Sequence, residues 1–486
     1  MWDLASIIAT DGWNSPPAVA PPAKPTRVLI LGAGMAGLTA GYELMKSGYE
    51  VRILEAREIP GGRVKTLRED FSDGVYAEAG ATFLPSQHGL TFYYANALKL
   101  GLEDFSGSAD PYIYYVKGLR IVYSMNEKAP MDAASGLPIH WPFPLTPEEQ
   151  QEGLAVFQEK YGTPPPLGSG PGGALRALQA EDAMSLVAYM GSKGASAGAI
   201  ELVNLGLNQL IGDGPSSYSA GLVLTSDRYL LSHILNGQLD FKRIQGGNDL
   251  YPAALAQKLG GRINYSAEVI GLDWGQTDAA VTFRGRGGQE QARADYLICT
   301  LPFSVLRNLF VTPAFSDVKT NVVQNLSYTS VTRIFLQTRK QFWRAQGLSG
   351  EIVSDQPMTQ VYPGYTPAIQ PGLLDVYMAS DNAREIGSLP RDRQIEFALT
   401  QIEPVYPEIR ANLVTGVSKV WDADPFARGA YPWFEPYEMT SLIPAAAQPE
   451  GRVYFAGDHA STLPGWIQGA IASGLRAAVG IAEAAS

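Results

Sequence analysis

Three glycines and an acid are the first residues whose spacing suggests chemistry. Gly32, Gly34 and Gly37 stand in "LGAGMAG", between the strand-like "RVLIL" and the helix-like "LTAGYELMKSG", and Glu55 ends the next strand-like run, "YEVRILEA". This pattern cradles a dinucleotide: Gly32 permits a tight turn, Gly34 lets backbone approach a pyrophosphate, and Gly37 lets helix pack on strand. The helix N-terminus, with Ala36 in its first turn, then faces the phosphates, and the Glu55 carboxylate accepts from a ribose diol. The chain continues "EAREIPGGRVKT", adding Ala56, Arg57, Gly61, Gly62 and Arg63. A second glycine pair beside a fixed cation suits a long, extended dinucleotide such as FAD. Near the C-terminus, "VYFAGDHASTLPGWIQGAIASGLRAA" sets Trp466 among glycines and small residues, again a place where backbone would come close to a partner.

These segments need a scaffold, and the chain is long enough to build one. At 486 residues it fits two or three units, by the rule of roughly 100–200 residues per domain. Apolar residues at 45% and charged residues at 17%, with 51 glycines and 34 prolines, describe a loop-rich globular protein with a large interior. A net charge of −11 without a basic stripe repels phosphate backbones and anionic membranes, so neither nucleic acid nor membrane is an expected partner. The single cysteine, Cys299 in "DYLICTLP", excludes an intrachain disulfide and reads as a buried strand residue. His88, His140, His233 and His459 lack ligand spacing, so no metal is expected. The N-terminus lacks a basic n-region and a long apolar h-region, and no window is apolar over the ~18 residues of a spanning helix; a cytoplasmic location is the expectation.

The elements follow from periodicity and punctuation. Leu4, Ile7 and Ile8 make a short amphipathic turn, and "SPPAVAPPAKPT" cannot be regular helix or central strand, so residues 1–25 read as an arm. From Arg27 to Ala56, strand, glycine turn, helix and strand follow at βαβ spacing. "VKTLRED" and "VYAEAG" flank "FSDG", where Asp73-Gly74 suits a tight turn, so a hairpin or a short loop is expected. Thr146, Pro147 and Glu149 form a capping box that starts a helix, and Tyr161 to Gly173 is a linker or surface loop by composition. "GAIELVNLGLNQLIG" is helical, "GGNDLYPAALAQKLGGRINYSAEVIGLDW" is helix then strand, and "YLICTLP" is a buried strand.

In these motifs and their order, the sequence resembles the flavin-dependent amine oxidases, the family of L-amino-acid, monoamine and polyamine oxidases. The likeness covers nearly the whole chain and takes in "YAEAGATFLP", "IQGGNDLYPAALAQKL", "VTRIFLQTRKQFW", "DPFARGAYPWFEP" and "VYFAGDHASTLPGWIQGA"; the last is most like the L-amino-acid oxidases. The resemblance implies an α/β fold. Its Rossmann-like FAD-binding domain, GR2-type and glutathione-reductase-like, would be discontinuous (26–86, 242–306 and 450–486). A mostly helical substrate and entrance region (87–241) and an α+β substrate-binding domain (307–449) complete it. FAD contacts are implied for Gly80, Ala81, Thr82, the Val269 backbone, Gly457, Asp458 and the backbone around Ile467. Trp466, with Gly465, would wall the substrate cavity opposite Phe434. No cysteine lies near "RGAYPWF", so the FAD is expected to be noncovalent.

Two positions depart from the amino-acid-oxidase pattern. Where those enzymes place a carboxylate-clamping arginine, this chain has Phe83, and where many members hold a lysine near the flavin it has Arg333, which keeps the charge but cannot act as a base. One reading joins the two: Arg333 takes over anion recognition while Phe83 supplies apolar contact. The other leaves Arg333 in a surface ion pair. With Arg333 and Trp466 as catalytic candidates, the resemblance implies an oxidase taking hydride from the amine-bearing carbon of an L-amino acid or related amine. The products would be an imine, then keto acid or aldehyde plus ammonia, and hydrogen peroxide from molecular oxygen. The alternatives are a primary amine or polyamine oxidase without carboxylate recognition, and an amino-acid 2-monooxygenase forming an amide. A homodimer is the expected assembly.

Overall fold

The computed structural model describes residues 2–105, 110–124, 131–152, 154–157, 160–161, 171–207, 241–364 and 371–486. Five strands pair in parallel in the order Ile263–Asn264, Glu50–Leu54, Arg27–Leu31, Tyr296–Cys299, Val453–Phe455. Every residue of Tyr296–Cys299, and all but the first of Arg27–Leu31, is buried, as strands covered on both faces must be. Cys299 is the strand residue expected, its thiol pushed up to about 12 by burial. One sheet thus gathers strands from three distant stretches of chain.

Gly32 turns the central strand into the helix Met35–Lys46 at φ +100°, and Gly37 lets that helix down onto the turn: a Cβ there would lie 2.1 Å from the Gly32 carbonyl oxygen. The C-terminal helix Ile467–Ala484 packs on the same helix through Gly474, whose Cβ would come within 2.4 Å of the Ala36 carbonyl oxygen. Close approach is the condition of this contact, and only a residue without a Cβ allows it. The N-terminal arm is strapped onto this unit rather than free. Its helix Leu4–Asp11 is capped by Asp3 and sends Leu4 and Ile7 into the core. Asp11 accepts from the Thr462 N–H and hydroxyl at 2.7 and 2.8 Å and faces the buried Arg476 at 3.5 Å.

A second sheet has seven strands in the order Leu413–Val420, Val331–Thr338, Gly372–Ala379, Gln360–Pro363, Ile352–Ser354, Tyr112–Val116, Leu119–Tyr123. Alternation gives its two faces opposite character. Ile334, Leu336, Val376, Val361, Ile352 and Ile113 point one way, into a core closed by the helices Ser380–Gly387 and Arg391–Ile402. Arg333, Asp375, Tyr377, Gln360 and Tyr362 point the other way.

Most local expectations are met. The hairpin Thr66–Leu67 with Ala77–Glu78 forms, its turn holding Asp73 and Gly74 at φ +58° and +74°. Helix then strand follows as Leu250–Leu259 and Glu268–Trp274. The capping box closes, with Glu149 N–H on Thr146 Oγ1 at 3.2 Å and Thr146 N–H on Glu149 Oε2 at 2.9 Å. It opens only a 3-10 turn, Glu149–Gln151, because the Glu149 carboxylate is also drawn to the Tyr161 hydroxyl (2.9 Å) and the Ser196 N–H (3.1 Å). The expected linker lies mostly outside the described residues, and 171–173 begin the helix Pro171–Asp182. The next expected helix is present as Ala197–Leu207, and 208–212 lie outside the described residues.

The packing at Gly474 carries a stability prediction. Gly474→Ala should lower stability by about 1–3 kcal/mol, because backbone must move to admit the methyl. Gly191→Ala, in the helix Leu186–Ser192 with nothing within 4 Å of its Cβ, should be neutral or stabilising. Urea unfolding midpoints compare the two.

Candidate active site

The glycine turn is built to receive something. Gly34 precedes the helix Met35–Lys46 in an extended conformation, no side chain caps that helix, and a Cβ on Gly34 would meet nothing within 4 Å. Uncapped amides at a helix start facing open space are the donor set of a phosphate site. The second glycine pair lies against the first: Gly61 N–H donates to Ala33 O at 2.8 Å, with Gly61 and Gly62 at φ +121° and +59°. Glu55 accepts from Ala33 N–H (2.7 Å) and Arg57 N–H (2.9 Å), and burial raises its pKa. Ala56 follows Glu55 directly, and Val269 is brought beside this edge because Ala267 N–H donates to Glu55 O at 2.8 Å. The side chain of Arg57 turns away to Asp424 at 2.6 Å, which Lys419 also meets at 2.6 Å. Burial opposes ionisation of Asp424, but these two cations outweigh it and hold the carboxyl down at about 2.

Arg63 reaches the C-terminal motif. It forms an ion pair with Asp458, and Asp458 Oδ2 also accepts from Gly465 N–H at 3.0 Å. Gly457 takes φ +143°, where its N–H reaches Ser473 Oγ at 2.9 Å. Trp466 directly precedes the uncapped helix that Ile467 begins, and its ring meets His88 edge-on at 5.1 Å. Burial holds His88 down at about 4 and His459 at about 3, so both rings are neutral at physiological pH.

Arg333 is the residue the sequence left open, and its surroundings answer both readings. It is buried, so the surface ion pair is excluded. Nη1 donates to Gly80 O and Thr82 Oγ1, both at 2.9 Å, Nε donates to Asp375 Oδ1 at 3.3 Å, and Nη2 donates to Asp375 Oδ2. Four of the five guanidinium N–H groups are used. Its charge is therefore already compensated, and the anion-recognition reading is corrected to a positioning one: Arg333 holds the segment 80–82. Asn248 grips the same segment from the other side, donating to Ala81 O (2.9 Å) and Thr82 O (3.0 Å). Beneath lies Glu78, pushed up to about 7 by burial.

The aromatic wall differs from expectation. Phe434 is fully buried in the core. Three residues earlier, the Tyr431 ring lies 3.2 Å from where a Cβ on Gly465 would stand, and its hydroxyl is 2.8 Å from that of Tyr377. From Tyr377 the rings continue to Tyr362 (6.5 Å) and Phe83 (6.2 Å), with Phe105 and Phe241 at 5.1 and 5.3 Å from Phe83. Sequence reasoning missed Asp375, Asn248, Tyr362, Tyr377 and Tyr431. The one signal was an acid in the otherwise apolar strand "GLLDVYMA".

Residues 35–482 match the family described as flavin containing amine oxidoreductase. The chain belongs to that family. It is 30% identical over 471 residues to a putative L-amino-acid oxidase, YobN, of Bacillus subtilis, covering 93% of this chain and 94% of the relative. It is 28% identical over 473 residues to the L-amino-acid oxidase of Demansia vestigiata, covering 94% and 86%. Among solved structures, cyclohexylamine oxidase from Brevibacterium oxydans superposes with a TM-score of 0.76 at 19% identity, covering 95% of this chain and 99% of that one. Wild-type putrescine oxidase bound to putrescine does so with a TM-score of 0.74 at 20% identity, covering 94% and 99%. The protein is a flavin-dependent amine oxidoreductase of mixed α/β fold, and no helix among the described residues is long and apolar enough to cross a membrane.

The engaged guanidinium makes a distinct prediction. Arg333→Met should cost about 3–5 kcal/mol by stranding Asp375, while the double variant Arg333→Met/Asp375→Leu should regain most of it. Chemical denaturation of the wild type, the two single variants Arg333→Met and Asp375→Leu, and the double variant measures the coupling.

Proposed function

We propose that the protein is an oxidase that binds FAD noncovalently and acts on the amine-bearing carbon of an L-amino acid or related small amine. FAD would lie along the Gly32–Gly37 turn, with Glu55 and the Val269 backbone at its adenosine end, Gly62 and Arg63 along its middle, and Gly80–Thr82, Gly457–Asp458 and Trp466–Ile467 towards its ring. The single observation that carries this placement is the open space over Gly34, before an uncapped helix, in a turn otherwise too tight for a methyl group. When bound, FAD supplies the hydride acceptor and passes the electrons to molecular oxygen, giving hydrogen peroxide. The chain's own residues orient and desolvate: Trp466 and Tyr431 flank Gly465, Arg63 and Asp458 fix that segment, and Arg333 and Asn248 fix the segment opposite. The imine product would hydrolyse to a keto acid or aldehyde plus ammonia.

The L-amino-acid reading is supported by the names of the curated relatives. A primary amine or diamine without carboxylate recognition is favoured by one observation, the commitment of Arg333 to Asp375 beside Phe83. The domain boundaries given above, a cytoplasmic location and a homodimer belong to the same proposal.

Three outcomes test it. Gly34→Val should fold with near wild-type stability yet purify without yellow flavin absorbance, because the valine side chain would occupy the phosphates' space. Anaerobic addition of at least one of L-norleucine, pentylamine, L-lysine and cadaverine should bleach the flavin of the wild type, and bleaching by none of the four would refute the oxidase reading. With His88 and His459 neutral, kcat/KM should rise with pH as the substrate's ammonium loses its proton. The inflection should move with the amine pKa when substrates are exchanged; a fixed inflection would assign it to a protein group such as Glu78.

A further inference from the structure

We propose that Glu351 is a specificity residue: its carboxylate takes a second cation, an ammonium or guanidinium, at the far end of the amine that is oxidised. This rests on the oxidase reading and deepens it, since it names the substrate class as an amine carrying two positive charges separated by an aliphatic spacer.

Glu351 stands just before the strand Ile352–Ser354. Ile352 pairs with Val361 on one side and Ile113 on the other, which sets Glu351 between Tyr362 and Tyr112. Strand alternation gives these three the face that carries Tyr377 and Asp375, opposite the apolar core. Its backbone is fixed, the carbonyl accepting from Ile113 N–H at 3.1 Å and the N–H donating to Ser349 Oγ at 3.2 Å. The carboxylate accepts no hydrogen bond and meets no cation among the described residues. Burial alone pushes it up to about 7. Its charge bears on Tyr362, Tyr112 and Tyr114 on the same face, and on Tyr406 behind the sheet. The guanidinium on the same face, Arg333, is already held by Asp375.

Glu351 is half-buried, and a carboxylate set among rings with no partner among the described residues is poorly solvated, whereas the same group opposite a bound cation makes a strong and selective contact. The spacer would have a lining already in place. Rings lead from Tyr362 beside Glu351 to Tyr377 and on to Tyr431 against Gly465, with Phe83 packed on Tyr362. Such faces accept methylenes and add cation–π attraction near the charged end.

The test compares cadaverine with pentylamine, and L-lysine with L-norleucine, in the wild type and in Glu351→Gln. The wild type should prefer the dication of at least one pair by about tenfold or more in kcat/KM. In Glu351→Gln that ratio should fall by between about tenfold and a hundredfold, carried mainly by KM. The midpoint of thermal unfolding should be unchanged or higher, since an uncompensated carboxylate has been removed; a marked fall would make Glu351 a structural residue and overturn the proposal. An unchanged ratio in the variant, or a wild type indifferent to the second charge, would also overturn it while leaving the oxidase reading intact. Failure of all four amines to reduce the flavin would remove both.

Discussion

The guanidinium of Arg333 is the joint on which the two halves of the site depend. It belongs to the seven-stranded sheet, yet two of its N–H groups hold Gly80 O and Thr82 Oγ1 on the segment that leaves the hairpin. That segment is tied in turn to Arg63, whose carbonyl accepts from Ala81 N–H at 3.1 Å, and Arg63 pairs with Asp458, which receives Gly465 N–H. A run of charge-assisted hydrogen bonds therefore connects Asp375, in the sheet that carries Tyr377, to the residue before Trp466. Such buried pairs add little net stability compared with apolar packing. Their contribution here is geometric: donors and acceptors fixed in direction set the aromatic face and the C-terminal motif relative to one another.

What could be read from the sequence were the positions where backbone conformation restricts residue type. Gly32, Gly37 and Gly61 announce themselves because positive φ or a carbonyl at methyl distance leaves no other choice. The βαβ order is equally legible, since strand and helix periods differ. Side-chain partnerships across the fold were not. Nothing local says that Arg333 meets Asp375, forty-two positions on, or that Asn248 reaches back to Ala81 and Thr82. Phe434 was misplaced for a related reason. An aromatic in a motif string is equally compatible with a cavity wall or with core, and burial puts Phe434 in the core.

The seven-stranded sheet shows how a period of two can sort chemistry from stability. One face is closed by helices and is almost wholly aliphatic. The other collects the hydroxyls, the ion pair and the isolated acid. A one-residue slip in register would exchange the faces, so the apolar core that fixes the register also fixes which side chains line the site.

The three arginines of the site share one electrostatic condition. Arg57 is matched by Asp424, Arg63 by Asp458 and Arg333 by Asp375. None of these guanidinium groups therefore offers an uncompensated charge to a substrate carboxylate. An anionic substrate group would have to be held here by tyrosine hydroxyls, which discriminate less against neutral analogues than a bidentate guanidinium does. A cationic substrate group meets the reverse situation on the proposed reading, since Glu351 is a carboxylate among the rings that meets no cation among the described residues. On the proposed reading, charge placement, more than the ring chemistry common to the family, decides which end of a ligand these rings receive.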